Sequence, residues 1–350
     1  MFRVLTIASA FVGVIVGAGF ASGQEILQYF TSFGHLGTFA ALISTVLFAY
    51  LGMILTKIGS RLQTISHRKA IYEISGRYLG VLVDIILIFT LFGVGVVMIA
   101  GAGSTLEQQF GIPNYIGSLI LTVLIVLTMM LKVQRVVAVI GSITPFLLLA
   151  IVIIAIYSLF TMDTPLSELN PIAQEQKSAV QHWIISGINY ASFNIAVGAG
   201  MAIVMGAAEK DERIATLGGF FGGLLIGILI LLAHFAIFSK IDVVATYDLP
   251  LLKIVEDISP ALAVIMAIII FGMIFNTGAG MFYAFIARFF DMENQTPYLA
   301  IVIIGVLGYI ASFIGFTDLV GKFYPLIGYL GLFLVVALIY APIRMKRGSL

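Results

Sequence analysis

The sequence predicts an all-α polytopic membrane protein of about ten transmembrane helices, arranged as a 5+5 inverted repeat in which helices one and six are discontinuous. Three observations carry this. The 350 residues are 61% hydrophobic and 10% charged, with a mean hydropathy of +1.14, a balance too apolar for a soluble globular domain. Apolar stretches long enough to cross a bilayer alternate with charged loops along the whole chain. A glycine-laden run, residues 13–23, interrupts the first stretch and has a counterpart in the sixth.

In chain order the spans fall near 6–30, 36–57, 79–103, 115–131, 136–160, 182–207, 214–238, 260–287, 297–316 and 322–343. The first begins after Arg3, and Ala21-Ser22-Gly23 could pass for a signal-peptide cleavage site. The apolar run continues to Phe30, however, longer than the apolar region of such peptides, so it reads as a span. Pro145 in the fifth span and Pro325 in the tenth predict kinks. Ser259-Pro260 and Thr296-Pro297 each read as an N-cap followed by proline at the first helical position, opening spans eight and nine. Between spans seven and eight, Leu249, Leu251, Leu252, Val255 and Ile258 alternate with Asp248, Lys253, Glu256 and Asp257, which predicts a short amphipathic helix over the outer mouth, a lid within residues 239–259.

Basic residues orient the chain. One set of loops, with both termini, holds 14 of the 18 Lys and Arg; only Lys177, Lys240, Lys253 and Lys322 lie on the other side. The positive-inside rule then puts both termini in the cytoplasm of a multi-pass protein of the cell membrane. Five spans per half make any internal repeat an inverted one, about 6–160 against 182–343, within a single domain covering residues 1–350. Val16-Gly17-Ala18-Gly19 recurs as Val197-Gly198-Ala199-Gly200 at an offset of 181, and Gly101-Ala102-Gly103 recurs as Gly278-Ala279-Gly280 at an offset of 177. Glycines four apart also serve as close-packing surfaces between membrane helices. Their recurrence at equivalent spans favours unwound segments facing a midplane site.

Several function classes drop out. A net charge of +1 without a basic aromatic-laced run excludes an electrostatic nucleic-acid partner. No cysteine is present, and His35, His67, His182 and His234 are too scattered for a local metal site, so no cofactor is expected. No Walker-type loop supplies nucleotide energy. A channel would need a repeated filter sequence. An intramembrane enzyme would need a convergent set, yet Glu25, Asp84 and His234 stand at no motif spacing, so no enzyme activity is expected.

The stretch Gly17-Ala18-Gly19-Phe20-Ala21-Ser22-Gly23-Gln24-Glu25 resembles the bacterial family of YkvI-like amino acid permeases. More loosely, the glycine motifs resemble the amino acid, polyamine and organocation transporter superfamily, whose inverted-repeat architecture was first seen in the sodium-coupled leucine transporter. The resemblance implies secondary transport of a small neutral amino acid, with the first and sixth helices unwound at the bilayer centre. Gly17, Ala18 and Gly19 would hold the substrate carboxylate, as the donors and positive dipole end of a half-helix can. Phe193-Asn194-Ile195-Ala196-Val197-Gly198-Ala199-Gly200 matches the sixth-helix break, so Asn194, Ala196 and Gly198 join the substrate set. Phe20, Ala21, Phe193 and Ala199 would shape its pocket.

The same resemblance implies sodium as coupling ion, held by the carbonyls of Gly13 and Val16 and by Asn276 and Thr277, with Met273 alongside. An amide here replaces one hydroxyl of the pattern, and amide oxygen is still a hard acceptor; Asn276 and Thr277 equally suit interhelical hydrogen bonding. Val14 stands where such relatives carry an amide ligand of a second sodium site, and span five lacks the lysine that replaces the ion in sodium-independent relatives. Glu25 is the candidate proton site. With Gln24 and Gln28 beside it, the alternative is a carboxylate solvated in an outer vestibule. His234 reads as an interfacial residue.

Overall fold

The computed structural model describes residues 1–63, 67–130, 144–290 and 297–346, and their side chains except at 67–80, 82, 144 and 342–346. The first apolar segment is in pieces. Helix α1 (Phe2–Ile15) stops at Val16, α2 (Ala18–Ser22) follows Gly17, and α3 (Gln24–Tyr29) follows Gly23. Gly17 is extended, and its N–H turns to the Ile15 carbonyl at 2.9 Å rather than to Gly13 one helical turn back. The Gly13 carbonyl thereby loses its helical donor. Gly23 lies at φ +83°, where an L side chain is strained, and a Cβ there would stand 2.7 Å from Leu251 Cγ.

Helices α4 (His35–Leu62) and α5 (His67–Phe110) follow, both longer than the apolar stretches that predict them, then α6 (Asn114–Met130). The start expected for span five at 136, with Lys132 and Arg135, lies outside the described residues; α7 is described over Thr144–Phe160, so the kink expected at Pro145 falls at the edge of what is described. A helix not anticipated from the sequence, α8 (Leu166–Gln174), buries Leu169 and Ala173.

Helix α9 (Trp183–Ala207) runs without interruption through Phe193 to Gly200, which corrects the expected break in helix six. The physical reason is visible at Gly198: a Cβ there would lie 2.7 Å from Ile15 Cδ1 and 3.2 Å from Val14 Cγ1, so this glycine admits α1 to close contact and the helix keeps its bonds. Then come α10 (Glu212–Phe238), the single turn α11 (Ile241–Val244), α12 (Pro250–Ile258), α13 (Pro260–Ile286), α14 (Tyr298–Ser312) and α15 (Phe316–Lys346). Pro260 opens α13 as expected, although Ser259 makes no side-chain cap. Pro297 is itself the N-cap of α14, so this helix starts one residue later than predicted, Thr296 lying outside the described residues, and α15 continues through Pro325.

Among the described residues, α4, α5, α9, α10, α13 and α15 are long and apolar enough to cross a membrane, and four shorter apolar helices accompany them. The chain is an integral membrane protein. Its large exposed apolar side chains, such as Val46, Ile268 and Leu299, face outward as lipid requires. Helix α4 packs on α9 and α10, with α1 against the same two; α5 packs on α13, α6 and α14, and α15 bridges α9 and α5. The cavity described below lies where these two sets meet.

One end is closed by α12, which buries Leu251, Leu252, Ile254 and Val255. Just before it, Asp248 accepts hydrogen bonds from Ser104 (2.7 Å) and Thr317 (2.6 Å), and the Gln108 amide holds both backbone groups of Leu249 (2.9 and 3.0 Å). At the opposite end Arg61 grips Glu212 with two bonds (2.7 and 3.3 Å), Arg3 pairs with Glu209, and Arg288 pairs with Asp84 at 2.7 Å.

Candidate functional site

The break between α1 and α2 opens onto a cavity of about 70 Å³. Gly13, Val14, Ile15, Gly17, Ala18 and Gly19 form one wall, and Glu25 enters from α3. The opposite walls come from helices far apart in sequence. Val94 and Met98 project from α5; Phe193, Asn194 and Val197 from α9; Met273, Asn276, Thr277 and Met281 from α13; Tyr324 from α15. Steps of three or four residues within each group place its members on one helix face.

Of the expected substrate residues, Gly17, Ala18, Gly19, Phe193 and Asn194 line the cavity. Phe20 and Ala21 are buried behind it, as are Ala196, Gly198 and Ala199. Because α9 is unbroken, its carbonyls stay in helical bonds and do not face a ligand's ammonium. Of the expected ion residues, Gly13, Met273, Asn276 and Thr277 line the cavity and Val16 is buried at the break without reaching it. The Asn276 Oδ1 atom is buried without a hydrogen-bond partner among the described residues. Thr277 Oγ1 lies 3.9 Å from where a Cβ of Gly17 would stand, so backbone and hydroxyl converge.

Glu25 overturns the picture of a wet vestibule. Its exposure is 5%, and Gln24 and Gln28 are buried beside it. The left-handed turn at Gly23 folds α3 inward, where Gln28 donates to the Thr317 carbonyl at 3.0 Å and Tyr29 donates to Asn189 at 3.3 Å. One Glu25 oxygen, Oε2, accepts from the Tyr190 hydroxyl at 3.0 Å; the other, Oε1, points at Gly19 so closely that a Cβ there would overlap it. Among the described residues the cavity lining contains this carboxylate and no Lys, Arg or His. Phe193 and Tyr324 stack at 4.2 Å between centroids and 22° between planes, forming an aromatic wall.

Sequence reasoning missed Tyr190, Tyr324, Val94, Met98 and Met281. Tyr190 was within reach, since it precedes Phe193 by three residues on the same helix, and so was Met281, four residues after Thr277 on α13; Val94, Met98 and Tyr324 carry no local signal of their own. His234 is not interfacial: it is fully buried, with Thr31 Oγ1 3.1 Å from Nδ1 and Thr38 Oγ1 3.2 Å from Nε2. Asp84 pairs with Arg288 away from the cavity.

No family model matches the chain. It is similar to the uncharacterized membrane protein YkvI of Bacillus subtilis (strain 168), 30% identical over 345 residues that cover 97% of this chain and 96% of that one. Its fold is similar to that of MhsT, solved in complex with L-phenylalanine, at a TM-score of 0.60 with 15% identity, covering 97% of this chain and 96% of that one. It is also similar to that of a manganese transporter from Eremococcus coleocola, at a TM-score of 0.57 with 15% identity, covering 97% of this chain and 77% of that one. One fold thus includes a protein solved with an amino acid and a manganese transporter, so what this chain carries must be argued from its site.

Proposed function

The chain belongs to the family of the membrane protein YkvI, and on that footing we propose that it is a secondary active transporter of a small amino acid, working by alternating access. The observation that carries this reading is the interrupted first span: its freed backbone opens into a cavity shared by α1, α5, α9, α13 and α15, an arrangement that hydrocarbon tolerates only where a ligand or water meets the backbone. In this proposal the chain is a member of the amino acid, polyamine and organocation superfamily with a leucine-transporter-type fold, ten spans in two inverted repeats (6–160 and 182–343). It is a transporter, not an enzyme, and sits in the cell membrane with both termini in the cytoplasm. The 239–259 segment serves as its outer lid.

The substrate sits against Gly17, Ala18, Gly19, Phe193 and Asn194. A cavity of about 70 Å³, where one water needs roughly 10–15 Å³, suits a solute of few heavy atoms. Sodium is the coupling ion in the first reading, because the unpartnered Asn276 oxygen and the released Gly13 carbonyl are hard acceptors beside Thr277. The second reading couples to protons through Glu25, favoured by the burial of that carboxylate beside Tyr190.

The test is uptake of labelled amino acids by liposomes containing the full chain, under an inward sodium gradient, an inward proton gradient, or neither. Saturable uptake of a small amino acid is the expected result, faster with sodium. If no amino acid enters above empty liposomes under any gradient, the proposal is wrong.

A further inference from the structure

Glu25 changes what the cavity asks of a ligand. Building on the transporter reading, we infer that Glu25 is the counter-ion for the substrate's ammonium group. The site then selects a compact amine-bearing solute, an amine or an amino acid held chiefly by its ammonium, and does not depend on a substrate carboxylate.

The lining is short of donors. Glu25 is 5% exposed, and Tyr190 satisfies only its Oε2 atom. No Lys, Arg or His among the described residues of the lining balances its charge, and a carboxylate left alone in a membrane interior is costly. The Asn276 Oδ1 atom is a buried acceptor without a donor, and the Gly13 carbonyl has lost its own. An ammonium brings three donors and a positive charge to such a set. The stacked Phe193 and Tyr324 add a π surface suited to a cation. A substrate carboxylate at Gly19, by contrast, would lie beside Glu25 Oε1, which stands where a Cβ of Gly19 would be; like charges at such range disfavour each other strongly.

The experiment uses the purified full chain in potassium buffer and matched triples of ligands. For alanine these are alanine itself, ethylamine without the carboxylate, and propionate without the ammonium; larger amino acids are treated the same way. Binding is followed by thermal shift and calorimetry. In at least one triple the amine should bind within about tenfold of the parent amino acid while the acid does not bind. Glu25→Gln should weaken both amine and amino acid by about thirtyfold or more, as expected when one partner of a buried charge pair is lost. Glu25→Asp should recover part of that loss.

The inference falls, and the transporter reading stands, if amino acids bind while their amines do not, or if Glu25→Gln leaves amine affinity within about twofold. It also falls if sodium alone stabilises the wild type through Glu25 and no amine does. Should Glu25→Gln not fold, the wild-type triples decide by themselves. If no member of any triple binds or enters liposomes, the transporter reading falls, and this inference with it.

Discussion

Gly19 and Glu25 compete for one volume, and that makes glycine at 19 a chemical requirement. Even a methyl group would overlap Glu25 Oε1, so Gly19→Ala must push the carboxylate out of the cavity. Uptake in liposomes should fall by about tenfold or more while the protein still inserts, and the shorter Glu25→Asp should restore part of it in the double variant. In the proposed sodium-coupled reading, Thr277→Ala should weaken sodium-stimulated binding by about 1 kcal/mol, the usual scale of one hydrogen bond. Calorimetry at fixed substrate checks it, and equal sodium response in both proteins would remove Thr277 from the ion site. How much of this was legible differs by residue. Gly17 to Gly19 announced themselves through glycine density, as did Asn276 and Thr277 as polar residues in an apolar span. The burial of Glu25 was hidden, because it depends on the left-handed turn at Gly23 and on Tyr190 arriving from a helix 165 residues away.

At the level of elements, the same glycine motif does two different things. In the first span it stops α1 and starts α2; in α9 it stays helical and lets α1 approach. Composition alone cannot separate these outcomes, since a glycine that unwinds and a glycine that packs leave the same letter, and the partner helix decides. The span positions were legible from hydropathy, whereas the lateral helix α8 was not, its apolar face being two buried residues wide. Packing glycines make a prediction of their own. Gly223 of α10 faces the backbone of Phe48 in α4, and Gly52 faces that of Gly219, with the Gly219 carbonyl 2.7 Å from a Cβ placed at Gly52. Gly52→Ala should therefore destabilise the protein by about 1–3 kcal/mol, the scale of overpacking in a rigid contact. Gly280→Ala, with nothing within 4 Å of its Cβ position, should gain roughly 0.5–1 kcal/mol from helix propensity. Thermal melts of the two variants in one detergent check both signs.

For the whole molecule, the cavity sits between two helix sets whose ends are tied differently. The ties beside α12 are hydrogen bonds to one half-buried junction: Asp248 joins Ser104 on α5 to Thr317 on α15, and Gln108 fixes Leu249. Those at the other end are charged pairs such as Arg61 with Glu212, where solvent weakens the attraction. In the proposed alternating access each end opens in turn, so the Asp248 junction is a tie that must part for the cavity to reach the side bearing α12. Asp248→Ala removes the acceptor shared by two hydroxyls and should shift the population toward opening on that side; by about 1 kcal/mol per bond lost, the open fraction rises several-fold for each. The chain contains no cysteine, so one introduced at Val94, on the cavity wall, reports access without background. A membrane-impermeant thiol reagent added from the α12 side should label Val94→Cys faster when Asp248→Ala is also present, and excess substrate should slow that labelling by filling the cavity. Equal rates with and without the Asp248 substitution would show that the junction does not hold the closed state, and closure would then have to come from the apolar face of α12 packed over Gly23.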